Sequence, residues 1–372
     1  MRWIYEDTDW PDFAWNSAAL SPKLADVRHR QGRLLGHMEA LGFPLKQEAT
    51  LITLTTDVLT SSAIEGAILD SEEVRSSIAR RLGLDVAGLV PASRDVEGIV
   101  EMMLDATQQY DKPLTAERLF AWHAALFPTG RSGMVSITVG AWRPARVGPM
   151  QVVSGPMGRE AVHFQAPPAE TLDDEMAAFL DWFEREADID PVLKAAIAHL
   201  WFVTIHPFED GNGRIARAIA DMALTRADGV RQRYYSMSAQ IEAERKTYYA
   251  ELERQQRASV DITGWLGWFL ACLGRALERA EASLESVLFK ARFWERASQV
   301  SLNERQRLVL NRMLDNFKGH LNTSKYTKLA RCSPDTALRD IQVLLEHHLL
   351  VRNPGGGRST SYRLAVLEEL QL

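Results

Sequence analysis

The chain has 372 residues, of which 46% are hydrophobic and 25% charged, a composition typical of a globular protein with two or three domains. Its two cysteines, Cys272 and Cys332, are too few for a disulfide scaffold and fit a reducing cytoplasm. The acidic N-terminus lacks the apolar stretch of a signal peptide. The most apolar run, Trp265 to Leu273, is too short to span a membrane, so we expect a cytoplasmic protein with no membrane partner. That run reads as a buried core helix or a homodimer interface.

The net charge of −6 is unevenly distributed along the chain. Residues 296–364 contain twelve Lys/Arg against five Asp/Glu, so the remainder is strongly acidic. A basic module on an acidic body is one sign of nucleic-acid binding, although it also keeps a module soluble.

Taken in chain order, the sequence patterns predict a mainly helical protein. Residues 1–45 read as a small tryptophan-rich packing or partner-binding segment. The stretch from Lys46 to Ile68 has the apolar spacing of a helix, and a connector at 111–115 precedes another helix, Ala116 to Leu126. Between Gly130 and Gln165 the composition turns to Gly, Val and Pro, and two β-prone runs around a turn predict a hairpin.

Helices resume after residue 170. Asp190 followed by Pro191 is a helix start signal, and the next stretch, 192–205, is apolar nearly all round, as in the centre of a bundle. Another helix is predicted to begin after Gly213 and to end at Asp228, with Gly229 as its left-handed stop. The tail, 296–372, reads as three helices (301–317, 323–330 and 333–346) and a glycine-tipped hairpin, the pattern of a winged helix-turn-helix.

The most informative stretch is His206 to Arg217, with the sequence HPFEDGNGRIAR. Pro207 ends the buried helix, which leaves the His206 imidazole at a helix end. Gly211, Asn212 and Gly213 permit a tight loop with positive φ, and the next helix then directs its unpaired N–H groups into that loop as an anion site.

Charged groups complete this stretch. Arg214 and Arg217 lie three residues apart on one helix face and favour a polyphosphate. Asp210 can hold Mg²⁺ that bridges phosphate oxygens, and His206 is placed to take a proton from an attacking hydroxyl. Each element alone also fits an ordinary helix linker or a solvated face, but the ordered set favours catalysis on a polyphosphate.

This string resembles the signature of the Fic family, His-Pro-Phe-x-Asp/Glu-Gly-Asn-Gly-Arg-x-x-Arg, at every defined position, and the resemblance covers about residues 47–275. It implies a mainly α fold: a Fic catalytic core (46–290) with a β-hairpin flap, a small N-terminal segment (1–45) and a C-terminal winged helix (296–372). It also implies a nucleotidyltransferase that moves AMP from ATP, with Mg²⁺, to a Ser, Thr or Tyr hydroxyl of a target protein or of the enzyme itself.

The resemblance also assigns roles to the motif. His206 would be the general base, Asp210 would hold Mg²⁺, and Gly211, Asn212, Gly213 and Arg214 would bind the phosphates. Arg217 would hold the γ-phosphate. Glycine at position 213 resembles the AMP-transferring branch of the family, because the phosphorylating branch has lysine there.

Two further segments resemble parts of a Fic nucleotide site. The Gly/Pro hairpin resembles the flap that aligns the target chain by strand addition, with Val152, Val153, Ser154 and Gly155 touching the nucleotide. Tyr248, Tyr249 and Gln256 occupy the stretch that holds adenosine in the family, although ordinary helix packing explains the tyrosines equally well.

Residues 61–66, with the sequence SSAIEG, resemble the inhibitory pattern Ser/Thr-x-x-x-Glu-Gly/Asn. Ser61 and Glu65 are one turn apart on a helix of about 47–66, and Gly66 is a natural helix stop. The resemblance implies that Glu65 pairs with Arg217 in place of the γ-phosphate. The same glutamate could also support removal of AMP from a target.

The tail leaves alternatives open. Its recognition helix would begin at Ser333, with Thr336, Arg339 and the wing residue Arg358 on DNA phosphates and bases, but winged helices also bind proteins. The alternative to an enzyme is a DNA-binding transcriptional regulator whose Fic core senses a nucleotide. A third alternative, a metal-dependent hydrolase using His206 and Asp210, has few metal ligands nearby.

Overall fold

The structure is a computed structural model of the 372-residue chain. It describes residues 3–39, 41–84, 89–145, 149–155, 159, 161–185, 188–314, 317, 319–354 and 360–366. The chain divides into two compact units, residues 1–281 and 282–372. In the described part no helix combines the length and the apolar content that a membrane crossing requires.

The first unit is built from helices, in agreement with the predicted fold class. A short 3-10 helix, Ile4–Glu6, opens it. The α-helices are α1 (Ser17–Glu39), α2 (Phe43–Ile64), α3 (Ser71–Arg81), α4 (Arg94–Gln108), α5 (Ala116–Leu126), α6 (Leu172–Glu184), α7 (Pro191–Ile205), α8 (Asn212–Asp228), α9 (Met237–Ala243), α10 (Arg245–Gln256) and α11 (Thr263–Ala297), the last of which contributes residues to both units.

Two antiparallel hairpins interrupt the helices between α5 and α6. The first, β1 (Arg131–Ser132) with β2 (Val135–Ser136), was not predicted from the sequence. The second pairs β3 (Gln151–Ser154) with β4 (Ala161–Gln165) and has a bulge between Val152 and Val153, which confirms the predicted hairpin. A second 3-10 helix, Ala169–Thr171, leads into α6.

The centre of the first unit is the pair α7 and α8. Every residue of α7 from Val192 to Ile205 is buried except Lys194, as its apolar sequence predicts. The Asp190 side chain caps α7 by accepting the N–H of Val192 at 2.8 Å, and Pro191 takes the first turn. The segment Trp265 to Leu273 is also buried within this chain, which favours the core alternative over an interface.

Predicted helix boundaries differ from the structure at both ends of α2, which begins at Phe43 rather than Lys46, and at the start of α8. The helix predicted to reach Ile68 ends at Ile64, because Gly66 adopts φ +82° and turns the chain away. The helix predicted to begin after Gly213 begins at Asn212. Its predicted end is confirmed, with Gly229 left-handed at φ +68°.

The second unit contains three further helices and a hairpin. Its elements are α12 (Glu304–Leu314), α13 (Thr323–Ala330), α14 (Pro334–Glu346), β5 (Leu350–Arg352) and β6 (Tyr362–Leu364). Leu321 exchanges two backbone hydrogen bonds with Tyr362 on β6, of 3.1 and 2.8 Å. This single antiparallel bridge adds one residue beside the hairpin. These elements follow the predicted order, except that the first helix begins at Glu304 rather than at residue 301. The winged-helix assignment itself stays a prediction.

Candidate active site

His206 terminates α7 in an unusual backbone conformation. It is left-handed, with φ 51° and ψ 58°, and its N–H still donates to the carbonyl of Phe202 at 3.0 Å. Left-handed φ in a residue with a side chain costs on the order of 1–3 kcal/mol and persists only where its surroundings enforce it. From the sequence, positive φ was predicted for residues 211–213 in the loop, and not for His206. That prediction is right for Gly211 alone, at φ +84°, because Asn212 and Gly213 lie in the first turn of α8.

Arg143 supplies the contacts that hold the His206 backbone. Its Nε donates to the carbonyl of His206 at 2.8 Å and its Nη2 to that of Pro167 at 2.6 Å. Its backbone N–H donates to the carbonyl of Pro207 at 2.8 Å. The guanidinium is buried. Sequence analysis missed this residue, because no local pattern marks an arginine whose side-chain partners lie 24 and 63 residues away.

The imidazole of His206 is set up as a neutral base. Burial, with a smaller contribution from the positive charge of Arg143, lowers its pKa from 6.5 to about 4. Its Nδ1 lies 3.3 Å from the carbonyl of Val203, a geometry in which Nδ1 carries the proton. The lone pair of Nε2 is then available to accept a proton at neutral pH.

The loop between α7 and α8 is fixed by Asn212 and Phe208. The Asn212 side chain accepts the Phe208 N–H at 2.9 Å and donates to the Phe208 carbonyl at 2.8 Å. The Phe208 ring is fully buried and stacks on His123, with ring centroids 4.2 Å apart. A Cβ on Gly211 would lie 2.9 Å from the ring of Phe127, so glycine is required there by space as well as by φ. Asn212 therefore supports the loop through its side chain, with its backbone N–H at the start of α8.

Asp210 presents a carboxylate at the mouth of this loop. It accepts the hydroxyl of Ser132 on β1 and the N–H of Gly211 at 2.5 Å, and its side chain is 42% exposed. Arg214 Nη2 lies 3.7 Å from Asp210 Oδ1. Within the described residues, no group of three or more His, Cys, Asp or Glu side chains could hold a metal ion. A single accessible carboxylate fits Mg²⁺, which takes one or two protein carboxylates and completes its shell with phosphates and water.

Arg214 and Arg217 are more deeply buried than a solvated face would allow. Their side chains are 11% and 2% exposed, and the Arg214 guanidinium lies 5.0 Å from the centre of the Phe127 ring. In the described structure Arg214 Nε and Arg217 Nη1 are buried without a hydrogen-bond partner. A buried unpaired donor is costly, so these two nitrogens indicate a cradle suited to an anion.

The end of α2 closes this cradle. Ser61 accepts from Arg217 Nε at 3.0 Å through its hydroxyl and from Nη2 at 2.8 Å through its carbonyl. Glu65 lies just beyond the helix, at its C-cap, and its Oε1 is 2.8 Å from Arg217 Nη2. Burial alone would lower the pKa of Arg217, but the charge of Glu65 reverses this and raises it. A Cβ placed on Gly213 would lie 2.2 Å from Glu65 Oε1.

The hairpin of β3 and β4 carries the predicted nucleotide contacts Val152, Val153, Ser154 and Gly155, all of which are exposed. Ser154 Oγ lies 2.6 Å from His163 Nε2, and His163 Nδ1 lies 2.8 Å from Glu253 Oε2 on α10. Sequence analysis did not single out His163 or Glu253, because they are 90 residues apart.

The three predicted adenosine contacts have different surroundings. Tyr248 is buried and its hydroxyl lies 2.9 Å from His199 Nε2. Tyr249 is exposed and donates to the carbonyl of Ile64 at 3.2 Å, next to Glu65. Gln256 is buried, with its Nε2 3.4 Å from Thr204 Oγ1. Both Tyr248 and Gln256 already have polar partners inside the protein, and an adenosine role stays a prediction for all three.

In the second unit, Ser333 caps α14 by accepting the Thr336 N–H at 3.2 Å. Thr336 is half-buried and Arg339 is exposed on the same helix. Arg358 lies outside the described residues.

Comparison with known proteins shows which family the sequence around this site resembles. Residues 113–224 match the model of the Fic/DOC family, and residues 3–84 match a domain of unknown function, DUF4172. Residues 113–224, which include the site, are therefore similar to a Fic/DOC domain.

Two curated relatives and one solved structure illustrate the similarity. A uridine 5′-monophosphate transferase from Xanthomonas campestris pv. campestris is 35% identical over 31% of this chain and 21% of its own length. The protein adenylyltransferase Fic of Nematostella vectensis is 47% identical over 16% of this chain and 15% of its own. The chain thus matches about a fifth or less of these relatives. A Fic family protein from Desulfovibrio desulfuricans G20 has a TM-score of 0.53 at 22% identity, covering 93% of this chain and 96% of that one, and shares the fold.

Proposed function

We propose that this protein is a Mg²⁺- and ATP-dependent protein adenylyltransferase that is inhibited by its own Glu65. The single observation that supports this best is the anion cradle beside a neutral histidine. Arg214 Nε and Arg217 Nη1 are buried without partners, and the Arg217 guanidinium holds a carboxylate where an anionic ligand would otherwise lie. Named relatives that transfer nucleoside monophosphates support the same class of reaction.

Each residue of the site has a separate role in the proposed reaction. The triphosphate of the substrate ATP is bound by the N-terminal turn of α8 with Arg214 and Arg217. A target hydroxyl attacks the α-phosphorus, and its proton passes to His206 Nε2 as the new P–O bond forms. The bond between the α-phosphorus and its bridging oxygen breaks, and pyrophosphate leaves. Arg143 keeps the imidazole in place through the His206 carbonyl.

Asp210 is the residue that would hold Mg²⁺. When bound, the ion neutralises phosphate charge and stabilises the pyrophosphate as it leaves. The exposed carboxylate already has its orientation fixed by Ser132 and Gly211. We therefore expect Asp210→Asn to lose Mg²⁺-dependent transfer while it keeps the fold.

Inhibition follows from competition for Arg217. Glu65 Oε1, at 2.8 Å, occupies one nitrogen of a guanidinium that a γ-phosphate would otherwise engage. ATP must displace this carboxylate or bind without the Arg217 contact, so the resting protein transfers AMP slowly. In the reverse direction, the same carboxylate would be placed to assist removal of AMP from a modified target.

The experiment that tests the reaction compares two labels in the Glu65→Gly variant with Mg²⁺ and cell lysate as a source of targets. Label on the α-phosphate of ATP should pass to lysate proteins, and label on the γ-phosphate should not. Transfer of the γ-label alone would overturn adenylyl transfer in favour of phosphorylation. No transfer of either label would favour the alternative of a nucleotide-sensing regulator.

UMP transfer is a second candidate, because one relative is named a uridine 5′-monophosphate transferase. Equal amounts of α-labelled ATP and UTP, each tested against an unlabelled excess of the other, separate the two. Transfer of label from ATP that persists in an excess of unlabelled UTP supports adenylyl transfer. Transfer of label from UTP that persists in an excess of unlabelled ATP supports uridylyl transfer.

The second unit suggests a DNA-binding function beside the enzyme. Residues 296–364, which include its three helices and hairpin, carry twelve Lys/Arg against five Asp/Glu, and Arg339 is exposed on α14. A basic excess of this kind favours binding to nucleic acid. Binding of the full chain to duplex DNA should weaken steeply with salt, and Arg339→Ala should reduce both affinity and salt slope. Lys246→Ala removes one exposed charge from the first unit and is the matched control. Equal effects of the two variants would contradict a specific DNA surface on α14.

A further inference from the structure

Asp57 is a buried carboxyl on α2 that the proposed reaction does not use. It lies about two turns before Glu65 on the same helix, and no part of its side chain is exposed. The Ser236 hydroxyl donates to Asp57 Oδ1, whereas Oδ2 is buried and has no hydrogen-bond partner in the described structure. Burying a carboxyl costs free energy, so polar neighbours or a proton must stabilise this group.

Helices α2 and α8 face each other at three levels, one helical turn apart. From the buried end outward, the pairs are Asp57 with Asp221, Ser61 with Arg217, and Glu65 with Gly213. Each step is four residues on both helices and the numbers run in opposite directions, so the helices are antiparallel with one register. The face of α2 that presents Glu65 is therefore the face that carries Asp57.

The first level brings two acids to one arginine. Asp221 Oδ1 accepts from Arg233 Nη2 at 2.7 Å, and both side chains are almost completely buried. Burial, together with the charge of Asp221, raises the pKa of Asp57 well above its ordinary value, although Arg233 opposes this. Arg233 thus neutralises Asp221, and the surroundings favour the neutral, protonated form of Asp57.

Ser236 joins Asp57 to a third helix. Its Oγ accepts the Ala239 N–H at 2.9 Å and so caps α9, while its hydroxyl proton is donated to Asp57. A hydroxyl has one proton to donate, so this bond has a fixed direction. The start of α9 therefore holds α2 at the level of Asp57, two turns from the carboxylate that contacts Arg217.

We propose that Asp57 is a positioning residue: through its hydrogen bond with Ser236 it sets the register of α2 against α8 and so keeps Glu65 on Arg217. This inference rests on the proposed function. Ser61 and Glu65 both contact Arg217, and both contacts require this register. Loss of the first level lets the end of α2 move away, which frees Arg217 for the phosphates of ATP without a change in the site itself.

The test is a double-variant cycle of Asp57→Ala and Glu65→Gly in the full chain. It has two readouts, the Kd for ATP from calorimetric titration and the transfer of α-label from ATP to lysate proteins. With Glu65 present, Asp57→Ala should lower the Kd by about 3- to 30-fold, the range of coupling within one network, and should raise transfer. In Glu65→Gly it should change neither, because no carboxylate is left to release.

A second variant breaks the same hydrogen bond from the other side. Ser236→Gly leaves Asp57 in place, and glycine is nearly as good a helix cap as serine, so α9 should still form. It should lower the Kd for ATP and raise transfer as Asp57→Ala does. Asp57→Asn keeps the shape, is neutral and still accepts from Ser236, so it should retain the inhibition.

Thr55→Ala is the matched control for packing. It also removes a buried side chain from α2, but position 55 lies about 200° around the helix from position 57. It should lower the melting temperature without a rise in transfer or a fall in the Kd for ATP. Thermal unfolding of every variant shows that it is folded.

Each other pattern decides against the proposal. Transfer that rises in Glu65→Gly but in neither Asp57→Ala nor Ser236→Gly overturns the positioning role and leaves the proposed function intact. Equal effects of Asp57→Ala with and without Glu65, or equal relief by Asp57→Asn, overturn it as well. If no variant transfers AMP, the proposed function fails, and the Kd cycle alone decides: a Kd that Asp57→Ala leaves unchanged overturns the positioning role too.

Discussion

The carboxylate of Glu65 lies 2.8 Å from Arg217 Nη2, although the two residues are 152 positions apart in the sequence. Arg217 is almost completely buried and its Nη1 has no partner in the described structure, whereas Glu65 is one-third exposed. The glutamate therefore neutralises a buried charge from the solvent side. An anion that brings more oxygen atoms can satisfy the same guanidinium more fully.

We expect Glu65→Gln to raise the affinity for ATP. The amide keeps the shape of the side chain but removes the charge that competes with phosphate. A hydrogen bond to a charged group contributes about 1.5–3 kcal/mol, so the Kd for ATP should fall by roughly 10- to 100-fold. Calorimetric titration of the full chain measures this. Glu72→Gln, an exposed glutamate in the first turn of α3, should leave the Kd unchanged, and a similar fall in both variants would contradict the competition.

Gly213 tests the same geometry through stability. A Cβ there would meet Glu65 Oε1 at 2.2 Å, so Gly213→Ala should lower the melting temperature of the wild type. In Glu65→Gly the nearest obstacle is gone and Arg217 Nη1 becomes the nearest atom to the Cβ, at 3.3 Å. Alanine should then stabilise the first turn of α8 by up to about 0.5–1 kcal/mol relative to glycine. Thermal unfolding of the four variants of this cycle measures the coupling. The same shift in both backgrounds would mean that Glu65 does not face Gly213.

Local signals in the sequence predicted much of the fold. The cap at Asp190, the helix Ala116–Leu126 and the stop at Gly229 each depend on neighbouring residues, and the structure has all three. Helix α2 ends four residues earlier than predicted, because periodicity continued past the glycine that turns the chain. The motif residues themselves could be assigned because they lie within one loop and the first turns of one helix.

What the sequence did not predict depends on contacts between distant segments. Nothing local to Arg143 indicates that it supports the backbone of His206. The hydrogen bonds that join Ser154, His163 and Glu253 exist only because α10 packs against β4. The positive φ of His206 likewise depends on contacts from Arg143, because positive φ is uncommon for any residue other than glycine.

Arg143 should act as a positioning residue for His206. Arg143→Gln removes both the charge and the paired guanidinium donors, whereas Arg143→Lys removes the paired donors and keeps the charge. We expect both to lower kcat by roughly 10- to 100-fold with little change in KM, because the base is displaced and ATP binding is not. The pKa of His206, about 4 in the wild type, should rise in Arg143→Gln and less in Arg143→Lys. Histidine NMR titration measures it, and an unchanged pKa in Arg143→Gln would contradict the proximity of the two charges.

Buried His199 gives a prediction for stability and pH. Burial, aided by the charge of Arg217, lowers its pKa from 6.5 to about 3, so the folded protein resists its protonation. The stability that neutral His199 contributes is complete above pH 6.5 and is lost as the pH falls toward 3. His199→Gln can keep the hydrogen bond to Tyr248 and cannot titrate. As the pH falls from 6.5 to 4, the free energy of unfolding of this variant should therefore decrease less steeply than that of the wild type. The two slopes should differ by up to about 1.4 kcal/mol per pH unit. Parallel curves from urea unfolding would contradict a buried neutral His199.

The central claim is adenylyl transfer by His206 under restraint by Glu65. The most direct measurement is transfer of α-labelled ATP, with Mg²⁺, to lysate proteins resolved from the enzyme by size, using wild type, Glu65→Gly, and Glu65→Gly with His206→Ala. We predict weak labelling by the wild type, strong labelling by the single variant, and none by the double variant. Labelling that does not rise in Glu65→Gly, or that survives loss of His206, would contradict the account.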